Sequence, residues 1–388
     1  MTLFDATHTS HTRAQTGIQR VCRSLFAELA RVSPVLPVCF DPHQHAWRAL
    51  TAGELATLGD RKGSGKSRGA KWSLTQKIAG RARRLAGRKT PTPTGQALIC
   101  PELFSGKVAA RLPELFAQVG GPRVALFHDA IALKFPELTP PATVARMPGY
   151  LRELLRFDGI AAVSEDSAQS LRDFWQWLGV TDTPPVIALP LGVDPVPTIP
   201  AVTTHARPRV LCVSTIEGRK NHTALLEAAD SLWSEGVAFE LELIGMPRAD
   251  TGAHVLQHIR QLQAAGRALV YHGTVTEDLL HEAYARSTLT IYPSLYEGFG
   301  LPVLESLQHG RPCLCSDRGA LSETAKGGGV HLLPSLDNRA LAASLRHFLQ
   351  SPTELAALAR QASERKFRSW NDYVRDLQFW MKTLPRRI

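Results

Sequence analysis

No stretch of this chain approaches the 18 consecutive apolar residues expected of a membrane-spanning helix. Its opening, MTLFDATHTSHTRAQTG, lacks the apolar core of a secretion signal. Cysteine is scarce, with six in 388 residues, and no pair has C-x-x-C spacing; Cys313 and Cys315 are two apart. That spacing excludes the common zinc and redox motifs. Cys22, Cys39, Cys100 and Cys212 complete the set, and most of the six sit in apolar runs such as VLCVS and PCLCS. Such residues are expected to be buried free thiols, which points to a reducing cytoplasm. Acidic residues are missing altogether between Arg61 and Lys89, where eleven of the 45 Lys and Arg residues lie. The remainder carries 34 basic and 35 acidic residues, so the formal charge of +10 belongs to one segment. A basic face for tracking nucleic acid along the whole molecule is excluded. The segment also contains GSGKS, but the phosphate-binding loop this suggests needs Gly where Asp60 stands, and no apolar strand precedes it.

What is present is ordinary for a globular protein, 44% apolar and 21% charged, over a length that suits two α/β domains. Ten short apolar runs read as strands: PVLPVCF, ALIC, VALFHD, GIAAVS, VIALPL, RVLCVS, FELELIG, ALVYHG, LTIYPS and PCLCSD. Segments of helical periodicity, such as NHTALLEAADSLWSEG and EDLLHEAYARS, separate several of them. This alternation predicts parallel sheets covered on both faces. The Pro-rich stretch Gly192 to Val210 reads as a linker. The expected domains are 1–195, with a basic insertion over 61–95, then 196–367. A closing helix, 368–388, begins near Ser369 or Asn371, either of which could cap it.

The strongest local signal is SLYEGFGLPVLESLQHGRP, Ser294 to Pro312. A strand ends at Tyr292 and Pro293. Gly298 and Gly300 permit a tight turn, and LPVLESLQHG reads as a helix with Pro302 in its first turn and Gly310 past its end. Such a turn aims backbone N–H groups and a positive helix end at the space above the sheet, a place for a diphosphate. Glu297 precedes the turn and is positioned to hold sugar hydroxyls; Glu305 follows it by about a helical turn and is positioned for ribose hydroxyls. Two surface glutamates flanking a Gly-rich loop is the alternative.

EGFGLPVLE resembles the Glu-x(7)-Glu motif of retaining GT-B glycosyltransferases, a family that includes many bacterial mannosyltransferases. The resemblance covers nearly all the chain except about 46–95. It implies two Rossmann-like domains facing across a cleft, and donor contacts from Gly298, Phe299, Gly300, Leu301 and Glu305. VSTIEGRKNHTALLEA resembles the family's donor-phosphate segment, which implies Ser214 as a donor contact and Arg219 and Lys220 as cations on the diphosphate. The family often has its Arg several residues before the Lys, where this chain has Ser214 and Thr215; a solvated Arg–Lys pair at a helix start is the alternative. VYHGTVTED resembles the base-recognition segment, with His272, Gly273, Thr274 and Val275 lining a nucleobase slot or simply packing. VALFHD implies that His128 contacts the donor sugar. The first loop and helix start imply roles for Thr16, Gly17 and Arg20 at the donor phosphate or acceptor.

The implied reaction is metal-independent transfer of a hexose, mannose-like, from a GDP- or UDP-sugar with retention. The leaving phosphate would help deprotonate the acceptor, and no cofactor takes part. The missing Asp-x-Asp removes support for metal-dependent donor binding of the other major glycosyltransferase fold. The implied acceptor is a growing glycan or lipid-linked saccharide of the bacterial surface. Rival readings are a nucleotide-sugar epimerase of the same fold and a non-catalytic sugar-binding scaffold; intact His128, Arg219, Lys220, Glu297 and Glu305 argue against the scaffold. Residues 61–89 are expected either to rest on an anionic membrane or to form a solvated insertion, with Trp72, Thr75, Ile78, Ala82 and Leu85 near one helical face. Aromatics for base stacking are nearly absent there, so no nucleic-acid partner is expected.

Overall fold

The computed structural model describes residues 1–61, 69–87, 90–196, 207–248 and 251–387. Parts of the predicted linker (197–206) and of the basic insertion (62–68 and 88–89) lie outside the described residues. Two compact units result. One comprises 1–133, 141–192 and 368–388; the other comprises 134–140 and 193–367.

The first unit is built on a seven-stranded sheet: β1 (Thr2–Asp5), β2 (Val35–Asp41), β3 (Ala46–Ala49), β4 (Ala97–Cys100), β5 (Arg123–Phe127), β6 (Gly159–Ala162) and β7 (Val186–Ala188). Their order is β3-β2-β1-β4-β5-β6-β7, parallel except for β3 at the edge. The second unit holds β8 (Arg209–Val213), β9 (Glu240–Ile244), β10 (Leu269–Tyr271), β11 (Leu289–Tyr292), β12 (Cys313–Cys315) and β13 (Val330–Leu332). This sheet runs β10-β9-β8-β11-β12-β13, with all pairs parallel. All ten apolar runs form strands. Three further strands escape periodicity. Within β1 (TLFD), β3 (AWRA) and β13 (VHL) polar residues leave no apolar run longer than two.

Both sheets reverse strand order once, between β1 and β4 and between β8 and β11. In open α/β sheets such reversals place a ligand crevice outside the carboxyl ends of the strands. The apolar cores lie elsewhere, on the sheet faces: Leu98, Phe127, Ile160 and Trp175 in the first unit, Val210, Leu225, Leu243 and Leu314 in the second. All six cysteines are buried and none forms a disulfide.

The final helix, Trp370–Met381, joins the first unit. Ser369 caps it reciprocally with Asp372, so Ser369 and not Asn371 is the cap. Asp158, fully buried, binds Arg123 through Nε at 2.8 Å and Nη2 at 2.6 Å and accepts from Arg387 N at 2.6 Å, which ties this returning segment to β5.

The basic helix forms over Leu74–Leu85, with Ser73 and Gln76 in a capping box. Its buried point is Gly80, where an added Cβ would lie 2.7 Å from His43 Cβ. Gln76 donates to Glu54 at 2.8 Å, and Arg84 meets His45 at 3.1 Å. That docking leaves Leu74, Ile78 and Leu85 exposed at 72%, 58% and 88%. Trp72 does not share their face: it precedes the cap, and its ring stacks on His11 with centroids 3.7 Å apart.

Candidate functional site

The site of the second unit grows from the strand ends at its order reversal. β8 leads through Ser214 to a single 3-10 turn, Gly218–Lys220, and then to the helix His222–Ser234. Asn221 makes this corner in the left-handed conformation (φ 57°) and donates to the Leu336 carbonyl at 2.8 Å. β11 leads through Pro293 to Glu297 and the Gly turn. Leu295 N donates to the Arg219 carbonyl at 2.9 Å, joining the two loops.

Across that join the structure brings Arg219, Lys220 and Glu297 together. Arg219 Nη1 donates to Glu297 Oε2 and to the Tyr296 carbonyl, each at 2.7 Å, while Nη2 binds Glu217 Oε1 at 2.8 Å. Lys220 Nζ pairs with Glu297 Oε1 and lies 5.7 Å from the Tyr292 ring centre. Arg248 approaches Glu217 at 3.7 Å. Burial alone would push the Glu297 carboxyl up, but Arg219 and Lys220 outweigh it and hold the group down at about 2. Burial and Arg219 lower the Lys220 ammonium despite its pairing with Glu297. Three cations thus surround two carboxylates, an excess of positive charge suited to a polyanionic ligand.

The turn has the predicted form. Gly300 takes φ 100°, and a Cβ there would come 2.6 Å from Leu321 Cδ2. The helix Leu301–Gln308 starts at once, with Pro302 in its first turn. That turn leaves the N–H groups of Gly300 and Leu301 outside the helical ladder. Thr324 Oγ1 donates to the Phe299 carbonyl at 2.6 Å, and Ala320 N donates to the Glu297 carbonyl at 3.0 Å. Both ends of the loop are therefore pinned; Gly298 lies between them.

Other predicted residues have different surroundings. Glu305 is buried and accepts from the Tyr284 hydroxyl at 3.0 Å. The Tyr284 ring stacks on His309, which in turn meets His281 at 3.0 Å. Ser214 is buried with its hydroxyl 3.0 Å from His222 Nε2. Burial, then Lys220, pushes the His222 imidazole down to about 3. Gly245 lets Ser214 and Gly273 close up on either side: it donates to the Gly273 carbonyl at 2.8 Å, and a Cβ on it would lie 1.8 Å from the Ser214 carbonyl oxygen. His272 is paired with Glu242 at 2.9 Å. Thr274 is exposed, whereas Val275 packs on an apolar cluster with Leu211 and Ile244.

His128 and Gly17 belong to the first unit. His128 is buried, donates from Nε2 to the Pro101 carbonyl at 2.7 Å, and is held toward neutrality chiefly by burial. Gly17 opens the helix Gly17–Val32 after Thr16; a Cβ there would meet nothing within 4 Å. Sequence reasoning missed Glu217, Arg248 and Tyr292 around the cation pair. Glu217 stands two residues before Arg219, so its charge was a readable signal; the other two arrive from separate strands. It also missed Asp5 and Glu102 at the β1 and β4 ends. Glu102 accepts from His8 N and Thr9 N at 2.8 Å each, which fixes the first loop.

Residues 200–365 match the family model described as Glycosyl transferases group 1. Serotype-specific mannosyltransferase WbdA of Escherichia coli is 27% identical over 355 residues, covering 84% of this chain and 40% of WbdA. The chain thus spans about two-fifths of that relative's length. O-antigen chain mannosyltransferase B of Escherichia coli is 29% identical over 64% of this chain and 67% of its own. Among solved structures, sucrose-phosphate synthase from Thermosynechococcus elongatus superposes with a TM-score of 0.67 at 17% identity, covering 98% of both chains. HepE of Anabaena, solved in complex with UDP-glucose, gives 0.68 at 16% identity over 99% of both. Residues 200–365, within the second unit, thus resemble glycosyl transferases of group 1, in a chain with the two-domain GT-B fold that is similar to bacterial mannosyltransferases.

Proposed function

We propose that this chain is a retaining glycosyltransferase that moves a hexose, mannose-like, from a GDP- or UDP-sugar to a growing glycan or lipid-linked saccharide in bacterial surface polysaccharide synthesis. The observation that carries this reading is the Arg219–Lys220–Glu297 cluster beside the Gly turn, at the strand-order reversal of the second sheet. A donor diphosphate competes with Glu297 for the two cations. Once displaced, the carboxylate is free to grip sugar hydroxyls, so donor binding and sugar positioning are one exchange of partners. Arg219 and Lys220 then neutralise charge developing on the leaving diphosphate, and the N–H groups at the start of Leu301–Gln308 add to that field. In this reading the reaction takes place on the donor's leaving face, and the cation pair fills the role a divalent metal would otherwise have. The relatives' names, which specify mannosyltransferases, support the choice of sugar.

The test is ligand stabilisation. GDP or UDP at a hundred times its Kd should add about 2.7 kcal/mol to stability. The same increment is expected in EDTA, and EDTA should leave transfer intact. Equal, negligible shifts from both nucleotides, or activity that returns only with manganese, would overturn the proposal.

The proposal extends to the basic helix. Among the described residues no helix is long and apolar enough to cross a membrane. Leu74–Leu85 is amphipathic in a different sense, with exposed Leu74, Ile78 and Leu85 among Lys71, Lys77, Arg81, Arg83 and Arg84. Such a face rests on anionic headgroups, each cation contributing about 1 kcal/mol near the surface. Ile78→Glu/Leu85→Glu should abolish co-sedimentation with phosphatidylglycerol vesicles at low salt while leaving nucleotide binding unchanged. Unchanged sedimentation of this variant would remove the apolar face from the membrane role, and no sedimentation of the native chain would remove that role altogether.

A further inference from the structure

The first unit contains a second cavity-forming feature unrelated to the cation pair. The loop leaving β1, the helix Ala52–Gly59 and the segment entering the basic helix enclose a cavity of about 700 Å³. Such a volume suits a small ligand of one or two sugar rings. The cavity lies between the loop that follows the carboxyl end of β1 and the helix that follows the edge strand β3.

Its wall mixes apolar and polar surface, and its charge is unbalanced. The one carboxylate lining it, Glu54, is already engaged: Arg48 reaches both of its oxygens at 2.7 Å, His11 Nε2 lies at 2.9 Å and Gln76 donates at 2.8 Å. Arg48, Glu54 and His11 are themselves buried, so the wall is rigidly built. The Trp72 indole, stacked on His11, lines the same space with the Thr57 and Ser73 hydroxyls. At the exposed rim stand Arg13 and Lys71, and among the described residues neither forms an ion pair with a carboxylate. Two unneutralised cations over a cavity that offers an indole face together with hydroxyl and amide groups suit an anion attached to a sugar ring, which has both an apolar face and hydroxyls.

We propose that this cavity binds a phosphate-bearing saccharide, with Arg13 and Lys71 on the phosphate and the Thr57, Ser73 and Gln76 side chains on the sugar. If the chain is the glycosyltransferase argued above, this is the acceptor's anionic end; the binding claim itself does not need that reading. The phosphate has two sources, a free sugar phosphate or a lipid-linked headgroup. The second fits the position of the cavity at the start of the helix whose outer face carries Leu74, Ile78 and Leu85.

The full chain is titrated with mannose 1-phosphate and with methyl mannoside, following indole fluorescence. Flotation with phosphatidylcholine vesicles doped with a polyprenyl phosphomannose, or with phosphatidylglycerol, forms the second arm. Mannose 1-phosphate should bind, and Arg13→Gln/Lys71→Gln should weaken it by about tenfold or more, with Lys71→Arg largely restoring it in the Arg13 background. Binding to polyprenyl phosphomannose vesicles without binding of the free sugar phosphate assigns the ligand to the lipid-linked headgroup; comparable binding of both assigns it to the phosphosugar itself. Equal affinity for the neutral methyl mannoside, or no loss in the double variant, overturns the proposal. So does a double variant that floats with the polyprenyl phosphomannose vesicles as well as the native chain does and also binds mannose 1-phosphate unchanged. GDP and UDP affinities measured on the same proteins separate the two claims: they should be unchanged in the double variant, and their absence in the native chain would sink the transferase reading alone.

Discussion

Glu297→Gln should lower kcat of hexose transfer by roughly 10²–10³-fold, the range seen when one preorganised polar group at a reacting centre is removed. The amide keeps the shape of the carboxylate, so the Gly turn, pinned by Thr324 and Ala320, should keep its conformation. What changes is the competition for Arg219 and Lys220. Under the proposed function, the carboxylate that both share in the native chain must be displaced before a diphosphate can settle. The amide is a much weaker competitor, so GDP or UDP should bind at least as tightly as to the native protein while turnover collapses. Opposite movements of nucleotide affinity and kcat are the signature sought by calorimetry and single-turnover kinetics. A variant with near-native turnover, or one in which both quantities fall together, would remove Glu297 from sugar positioning.

The second large effect is expected from Lys220→Ala. Loss of a charge-assisted contact to the diphosphate corresponds to about 1.5–3 kcal/mol, or roughly 10–100-fold in nucleotide affinity. It should also change the acid response of the fold. The Glu297 carboxyl is held at about 2 against an ordinary 4.5. A depressed folded-state value means that its stabilisation is fully present above 4.5 and is lost as pH falls from 4.5 toward 2. The linked stabilisation is on the order of 3 kcal/mol. Without the ammonium, burial opposes a single remaining guanidinium, and the carboxyl moves up toward its ordinary value. Urea unfolding above and below pH 4.5 should therefore show a smaller acid-dependent loss in the variant. An identical pH slope in both proteins would show that Lys220 does not set the charge state of Glu297.

The parts of this molecule legible in its sequence are those set by local rules. Pro302, Gly298, Gly300 and Gly310 announce a turn and a short helix because backbone geometry restricts which residues fit, and the turn appears where they stand. The paired cations and Glu297 follow β8 and β11, so alternating strands and helices put both loops at one edge of the sheet, whereas their nearness depends on the strand order, with β9 and β10 between them in the chain. Local rules fail where a partner comes from far away. Ser214 reads as a ligand contact, and only the fold shows that His222 lies 3.0 Å from its hydroxyl. Trp72 reads as part of an amphipathic face until His11 takes its ring, 61 positions earlier. β1 is invisible because its four residues gain their stability from β2 and β4 on either side and not from any pattern of their own. The basic insertion is the sharpest case. Its charge was plain, but only the docking of Gly80 on His43 decides which apolar side chains stay outside.

The division of the chain also fixes an order of events during synthesis. The second unit lies almost wholly within 193–367, whereas the first draws on 1–133, 141–192 and 368–388. On a ribosome the whole β8–β13 sheet emerges before the helix Trp370–Met381. Until that helix arrives, Gly159 lacks the Trp380 and Leu384 side chains that cover it, and Asp158 lacks its bond from Arg387. The unit that begins first is thus the last whose chain is complete, and a nascent protein halted just past Phe367 would carry a full second sheet beside a first one still missing its covering helix.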